Sequence, residues 1–194
     1  MPLDAHVEES DESLLAAYAA GEVDAARLLT ARLTPSVLGY AARVLQDRVE
    51  AEDVAQEAML RLWKQAPEWR HGEAKISTWL YRVTANLCTD RLRKRRGGTV
   101  DLDAIAEPQD GQPSAQAQLE TKARADALSK ALAMLPERQR QAVALRHLEG
   151  LSNPEIAQIM DVGVEAIESL IARGKRGLKA ALIDQKEALG YDNA

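Results

Sequence analysis

Arg91 to Arg96 place five positive charges in six residues. A run of this kind neutralises nucleic-acid phosphates and releases their counterions. It also serves as a solvated helix end. Just upstream, Arg82, Asn86, Thr89, Asp90 and Arg93 share one helical face, a polar and hydrogen-bonding face rather than bare charge. Trp79 and Tyr81 lie one to two turns before Asn86. Aromatic rings beside cations suit unstacked bases, and Trp79 equally suits a core. A second constellation spans residues 152–176: a helix of about eight residues, a three-residue turn and a longer basic helix. That geometry sets a second helix into a major groove, although an ordinary helical hairpin has the same spacing. Its second helix exposes Glu165, Glu168, Ser169, Ala172, Arg173, Lys175 and Arg176. Glu168 either accepts from cytosine N4 in the groove or pairs with Arg173 or Lys175. The third constellation is DVAQEAMLRLW, residues 53–63, whose Asp53, Gln56, Glu57 and Leu60 point away from its apolar face. An exposed leucine among carboxylates suits a protein contact. A solvated acidic face is the other reading.

Bond-making chemistry finds no comparable support. Gly97-Gly98 lacks the flanking pattern of a phosphate loop. Glu8-Glu9 and Glu52-Asp53 are adjacent pairs on different helix faces and make poor acid–base dyads. Cys88 sits beside an apolar stripe and reads as packed. One cysteine excludes an internal disulfide and a cysteine-rich zinc module. His6, His71 and His147 show no ligand spacing. The expectation is a protein that is not an enzyme and needs no cofactor or metal.

These side chains must be positioned by helices. Apolar residues make up 46% of the chain, phenylalanine is absent, and alanine and leucine dominate; both are strong helix formers. The spacing predicts helices over 11–20, over 23–46 with a break or bend near Thr34-Pro35, and over 50–64. Ile76, Leu80, Val83 and Leu87 form the stripe of a fourth, which Gly97-Gly98 ends. Further helices are expected over about 119–135, 137–148, 153–160 and 164–183. Ser152 and Glu155 stand at capping-box spacing, with Pro154 in the first turn. Between the two groups, residues 97–118 break the periodicity, with Pro108, Gly111 and Pro113 among their punctuation and room for a short helix near 101–106. The fold class expected is all-α: two small helical domains, 1–97 and 119–194, joined by a flexible acidic linker over 98–118, the second domain holding a helix-turn-helix. About 21 extended residues reach about 70 Å, enough to let two bodies sit apart on one long ligand.

The net charge of −5 argues against nucleic-acid binding only if it is averaged over the chain. Residues 98–121 hold five carboxylates and no base, and account for all of it; the flanks carry −1 and +1. Local field governs nucleic-acid affinity. No apolar run approaches the roughly 18 residues of a membrane span, and the N-terminus is acidic, unlike a signal peptide. A cytoplasmic protein without membrane insertion is expected.

Taken in order, the three segments resemble the extracytoplasmic-function sigma factors of bacterial RNA polymerase. DVAQEAMLRLW resembles their segment that docks on core polymerase. ISTWLYRVTANLCTDRLRKRR (76–96) resembles their stretch for promoter melting and −10 contact. LPERQRQAVALRHLEGLSNPEIAQIMDVGVEAIESLIARGKRGL (135–178) resembles their −35-reading domain. The resemblance implies that Asp53, Gln56, Glu57 and Leu60 meet core polymerase. It implies that Trp79, Arg82 and Asn86 hold a flipped −10 base, helped by residues 67–75, and that Arg91, Arg93, Lys94, Arg95 and Arg96 hold backbone. Glu168, Ser169, Arg173, Lys175 and Arg176 would meet the −35 element. The partners implied are core polymerase, promoter DNA and an anti-sigma factor, in a stress-response role. The chain departs from the family where Glu168 replaces a usual base, Ala166 a frequent threonine, Gly163 a common serine and Gly174 a common alanine. A conventional helix-turn-helix regulator and a protein-only polymerase adaptor are the alternatives.

Overall fold

A computed structural model describes residues 10–70, 72, 75–97 and 115–188. The described residues form helices joined by turns, with no strand among them. In order they are α1 (Asp11–Ala19), α2 (Val23–Leu45), α3 (Arg48–Gln65), a short 3-10 turn (Ala66–Glu68), α4 (Ile76–Gly97), α5 (Ala115–Ala133), α6 (Glu137–His147), α7 (Asn153–Met160) and α8 (Val164–Ala188). The short helix expected near 101–106 lies outside the described residues, as does most of the expected linker.

Side-chain caps set three of the starts. Ser10 accepts from the Ser13 amide and Asp47 from the Glu50 amide. At α7 the Ser152 side chain accepts from the Glu155 amide while the Glu155 carboxylate takes the Ser152 amide at 2.9 Å, so both halves of the capping box form. Asp161 then turns left-handed at φ 53° and ends α7. Three expectations change. α5 begins at Ala115, inside the span 98–118 expected as linker. The helix over 23–46 has no break: α2 runs through Pro35. The missing amide and the ring clash cost about 3 kcal/mol, but Leu29, Leu33, Val37 and Tyr40 are buried on both sides of the proline and hold one continuous axis. The last helix also runs five residues beyond its expected end, to Ala188.

Three apolar clusters hold the helices. The first is local to the N-terminal half: Leu14, Leu15, Leu29, Leu33, Met59, Leu62, Ile76 and Leu80 join α1 to α4. Another joins α5 and α6 through Leu132, Leu135 and Val143, with Leu178 of α8 packed against them. The largest belongs to both halves. Tyr40, Val44, Leu45, Val54, Tyr81, Ala85 and Cys88 from α2, α3 and α4 pack with Leu145, Ile156, Ile159 and Ile167 from α6, α7 and α8. The helix-turn-helix therefore sits on α4 rather than apart from it.

Candidate nucleic-acid interface

α4 carries three longitudinal stripes. Ile76, Leu80, Val83 and Leu87 face the N-terminal core. Tyr81, Ala85, Cys88 and Leu92 face the shared core. Arg82, Asn86 and Arg93 remain exposed between solvent and that second stripe. Thr89 belongs to the polar stripe but is half-buried, its hydroxyl taking a hydrogen bond from Gln141 of α6 at 3.1 Å. Asp90 pairs with Arg93 at 2.7 Å, both exposed. Trp79 meets Trp69 edge to face, with ring centroids 5.8 Å apart, against the N-terminal core. It is half-buried, so the ring both packs and keeps an accessible edge.

The basic run is not one uniform patch. Arg95 is turned inward: it bonds the Leu45 carbonyl at 3.0 Å and pairs with Asp47 and Glu50 at 3.0 and 2.9 Å. It thereby ties the end of α4 to the α2–α3 corner. Arg91 pairs with Asp53 at 3.6 Å, which joins one expected phosphate ligand to one expected polymerase contact. Lys94 and Arg93 are exposed. The side chain of Arg96 lies outside the described residues. On α3, Gln56 and Leu60 are exposed, and Glu57 pairs with Arg61 at 2.9 Å. Val49, at 68% exposure, extends the apolar surface of this helix beyond Leu60; its β-branched side chain near a helix start gave no sequence signal.

In the helix-turn-helix, Ile156, Ala157 and Ile167 are buried, and Met160, Val162 and Ile171 pack beside them. The outer face of α8 leaves Glu165, Glu168, Arg173, Lys175 and Arg176 exposed. Arg173 donates to the Ser169 hydroxyl at 2.6 Å, one turn back. Glu168 therefore lacks the ion pair to Arg173 or Lys175 that was one of its two readings; among the described residues its carboxylate has no partner. Gly174 is buried, and a Cβ there would lie 2.5 Å from Val143 Cγ2. The residue stands where alanine is common in the resembled family because α6 crosses α8 at this point.

Cys88 is fully buried, and burial pushes its thiol up to about 12. It stays a neutral packing group at physiological pH. His147 is held below its ordinary value by partial burial and by Lys175 and Arg146 nearby. Sequence reasoning missed the contacts between the halves. Arg43 and Tyr81 both donate to the Glu149 carboxylate, Tyr81 at 2.6 Å. Lys75 pairs with Glu155 at 2.9 Å, and the Ser129 hydroxyl bonds the Gln46 side chain at 3.0 Å. Nothing local in the sequence marks Glu149, which precedes a helix-ending glycine.

Fold and surface together define an all-helical protein with two exposed polar or basic helix faces, one of them the second helix of a helix-turn-helix. The family models Sigma-70 region 2 and Sigma-70, region 4 match residues 29–97 and 125–178. The ECF RNA polymerase sigma factor SigM of Mycobacterium tuberculosis is 33% identical over 90% of this chain and 86% of its own length. The structure of CnrH in complex with the cytosolic domain of CnrY superposes with a TM-score of 0.67 and 25% identity, covering 91% of this chain and 99% of that one. The sigma factor RpoE in complex with the anti-sigma factor NepR from Bartonella quintana shares the fold, with a TM-score of 0.64 and 23% identity over 80% of this chain and 95% of that one. The chain belongs to the extracytoplasmic-function sigma factors of bacterial RNA polymerase. It is a promoter-directing initiation factor and not an enzyme.

Proposed function

We propose that the exposed stripe of α4 takes the −10 element and the outer face of α8 the −35 element, each within its own domain, 1–97 and 119–194. On α4, Arg82 and Asn86 face unpaired bases and Trp79 offers its accessible edge. Arg93, Lys94 and Arg96 hold phosphates, and Arg91 joins them when it releases Asp53. On α8, Glu168, Ser169 and Arg173 read bases, with Lys175 and Arg176 on backbone. Asp53, Gln56, Glu57 and Leu60 on α3 dock on core polymerase. The observation that carries this reading is the pair of exposed polar stripes, each beside a buried apolar stripe that fixes its direction. No helix among the described residues is long and apolar enough to cross a membrane, which suits work in the cytoplasm. The matched fold of a sigma factor bound to its anti-sigma factor supports restraint by such a partner, with release under stress. Tethering lets two weak contacts act as one strong one.

Run-off transcription with purified core polymerase and genomic promoters tests the proposal. Specific start sites that need this chain are expected. Substitution of Asn86→Ala should abolish them on duplex promoters and spare those on templates already melted at −10. Equal loss on both templates would remove α4 from the melting step.

A further inference from the structure

The C-terminal half carries an apolar groove to which the promoter reading gives no occupant. Leu128 and Leu132 of α5, Val143 and Leu148 beside α6, and Leu178 and Ile183 of α8 line a space of about 550 Å³. Ile183 is 45% exposed, and Leu128, Leu148 and Leu178 are half-buried. The charged groups at this groove have one sign. His147, Lys175 and Lys179 stand at its edge, and among the described residues no carboxylate lines it. Partial burial, with Lys175 and Arg146 nearby, holds His147 below its ordinary value. An apolar centre with a cationic rim fits an apolar segment that carries carboxylates.

The chain itself supplies such a segment. Leu102 and Ile105 lie among Asp101, Asp103 and Glu107, in a stretch from 98 to 121 that holds no base. Neither the core clusters nor the promoter reading gives this acidic stretch a task. Its reach is sufficient. The groove begins at Leu128, 13 residues along α5 from Ala115, or about 20 Å at ~1.5 Å per residue. The ten residues from Ile105 to Ala115 extend to about 33 Å at ~3.3 Å each. Pro108, Gly111 and Pro113 lie between them, residue types that suit a reversal of chain direction. A short tether sets an effective concentration on the order of 1 mM. A contact too weak to hold a separate peptide at micromolar concentration is then half formed within the chain.

We propose that residues 101–107 of this same chain dock in the groove. Leu102 and Ile105 enter it, and Asp101, Asp103 and Glu107 meet the rim of His147, Lys175 and Lys179. Docking joins the acidic segment to the C-terminal half and leaves a shorter free linker. The proposal concerns that half alone and stands independently of the promoter reading.

Methyl NMR on the dilute, selectively labelled full-length chain tests it. Nuclear Overhauser contacts are expected between the Ile105 and Ile183 methyls of the wild type. Leu102→Asp combined with Ile105→Asp should shift the Leu128, Leu178 and Ile183 methyl resonances. Ile156 and Ile159 of the shared core should stay in place, which reports an intact fold. A synthetic peptide of residues 100–108, added to that variant at about 5 mM, should return the groove resonances toward their wild-type positions. The same peptide with Asp101→Asn, Asp103→Asn and Glu107→Gln should bind at least threefold more weakly. Four results would each overturn the proposal. They are a wild type without the Ile105–Ile183 contact, groove methyls unmoved by the double substitution, and equal affinity for the neutral peptide. The fourth is a contact found only between differently labelled molecules of a mixed sample, which would make a second copy the occupant.

Discussion

At the residue scale, equal charge does not mean equal role. Arg95 and Lys94 are neighbours in one basic run, yet only Lys94 faces solvent freely. Arg95→Ala strips partners from Asp47, Glu50 and the Leu45 carbonyl and should destabilise the fold by about 2 kcal/mol, read by denaturant midpoint. Lys94→Ala should leave that midpoint unchanged and reduce the salt dependence of DNA binding by about one phosphate. Equal midpoints for the two variants would return Arg95 to the phosphate-binding set. Glu168 poses the opposite question, because its carboxylate is exposed and, among the described residues, unpaired. A carboxylate beside phosphates is unfavourable unless it finds a donor, and cytosine N4 is such a donor. Selection from a randomised −35 library should show a cytosine preference for the wild type that Glu168→Arg replaces with guanine. An unchanged preference would exclude a base-reading role.

At the element scale, helix propensity and packing make opposed forecasts at Gly174. An internal glycine costs about 1 kcal/mol relative to alanine in a helix, so propensity alone says that Gly174→Ala stabilises. The added Cβ would lie 2.5 Å from Val143 Cγ2 and 3.3 Å from the Gln139 carbonyl oxygen. Overpacking of that kind costs about 1–3 kcal/mol, and valine has little rotamer freedom with which to yield. Gly174→Ala should therefore lower the melting temperature. Gly177→Ala meets only the Leu135 Cδ2 end at 2.7 Å; that longer side chain can swing aside, so this variant should be neutral or stabilising. A rise in melting temperature for both would show that α6 and α8 lie further apart. Local chemistry of this sort explains what was legible in the sequence. The Ser152–Glu155 box, the Asp161 turn and the stripe from Ile76 to Leu87 follow from spacing within one turn or one helix. The continuity of α2 through Pro35 was not legible, because residues from other helices hold it.

At the scale of the whole molecule, the illegible part is the meeting of the two halves. Tyr81 and Glu149 are 68 residues apart, and no periodicity in either helix announces the other. What could be read was each half's polar and apolar stripes; what could not was that the Tyr81–Cys88 stripe is covered by α7. One residue couples local and global levels. Glu155 closes the α7 capping box and also takes Lys75 from the other half. Backbone and side-chain bonds from Ser152, together with Lys75, hold its carboxyl down at about 2, against an ordinary 4.5. A depressed carboxyl favours the folded state above its unfolded value and loses that advantage as pH falls toward its folded value. Its contribution is therefore full above about pH 4.5 and drains away between there and pH 2. Glu155→Gln keeps a capping acceptor but has no charge to titrate, so it should be less stable than wild type at pH 7 by about 1 kcal/mol. Between pH 4.5 and 2 the two stability curves should converge, as measured by urea unfolding at fixed ionic strength. Parallel curves through that window would show that Glu155 is not held by these partners. Lys75→Gln separates the two levels: it should remove part of the pH-dependent difference while leaving the capping box, and the helicity of α7, in place.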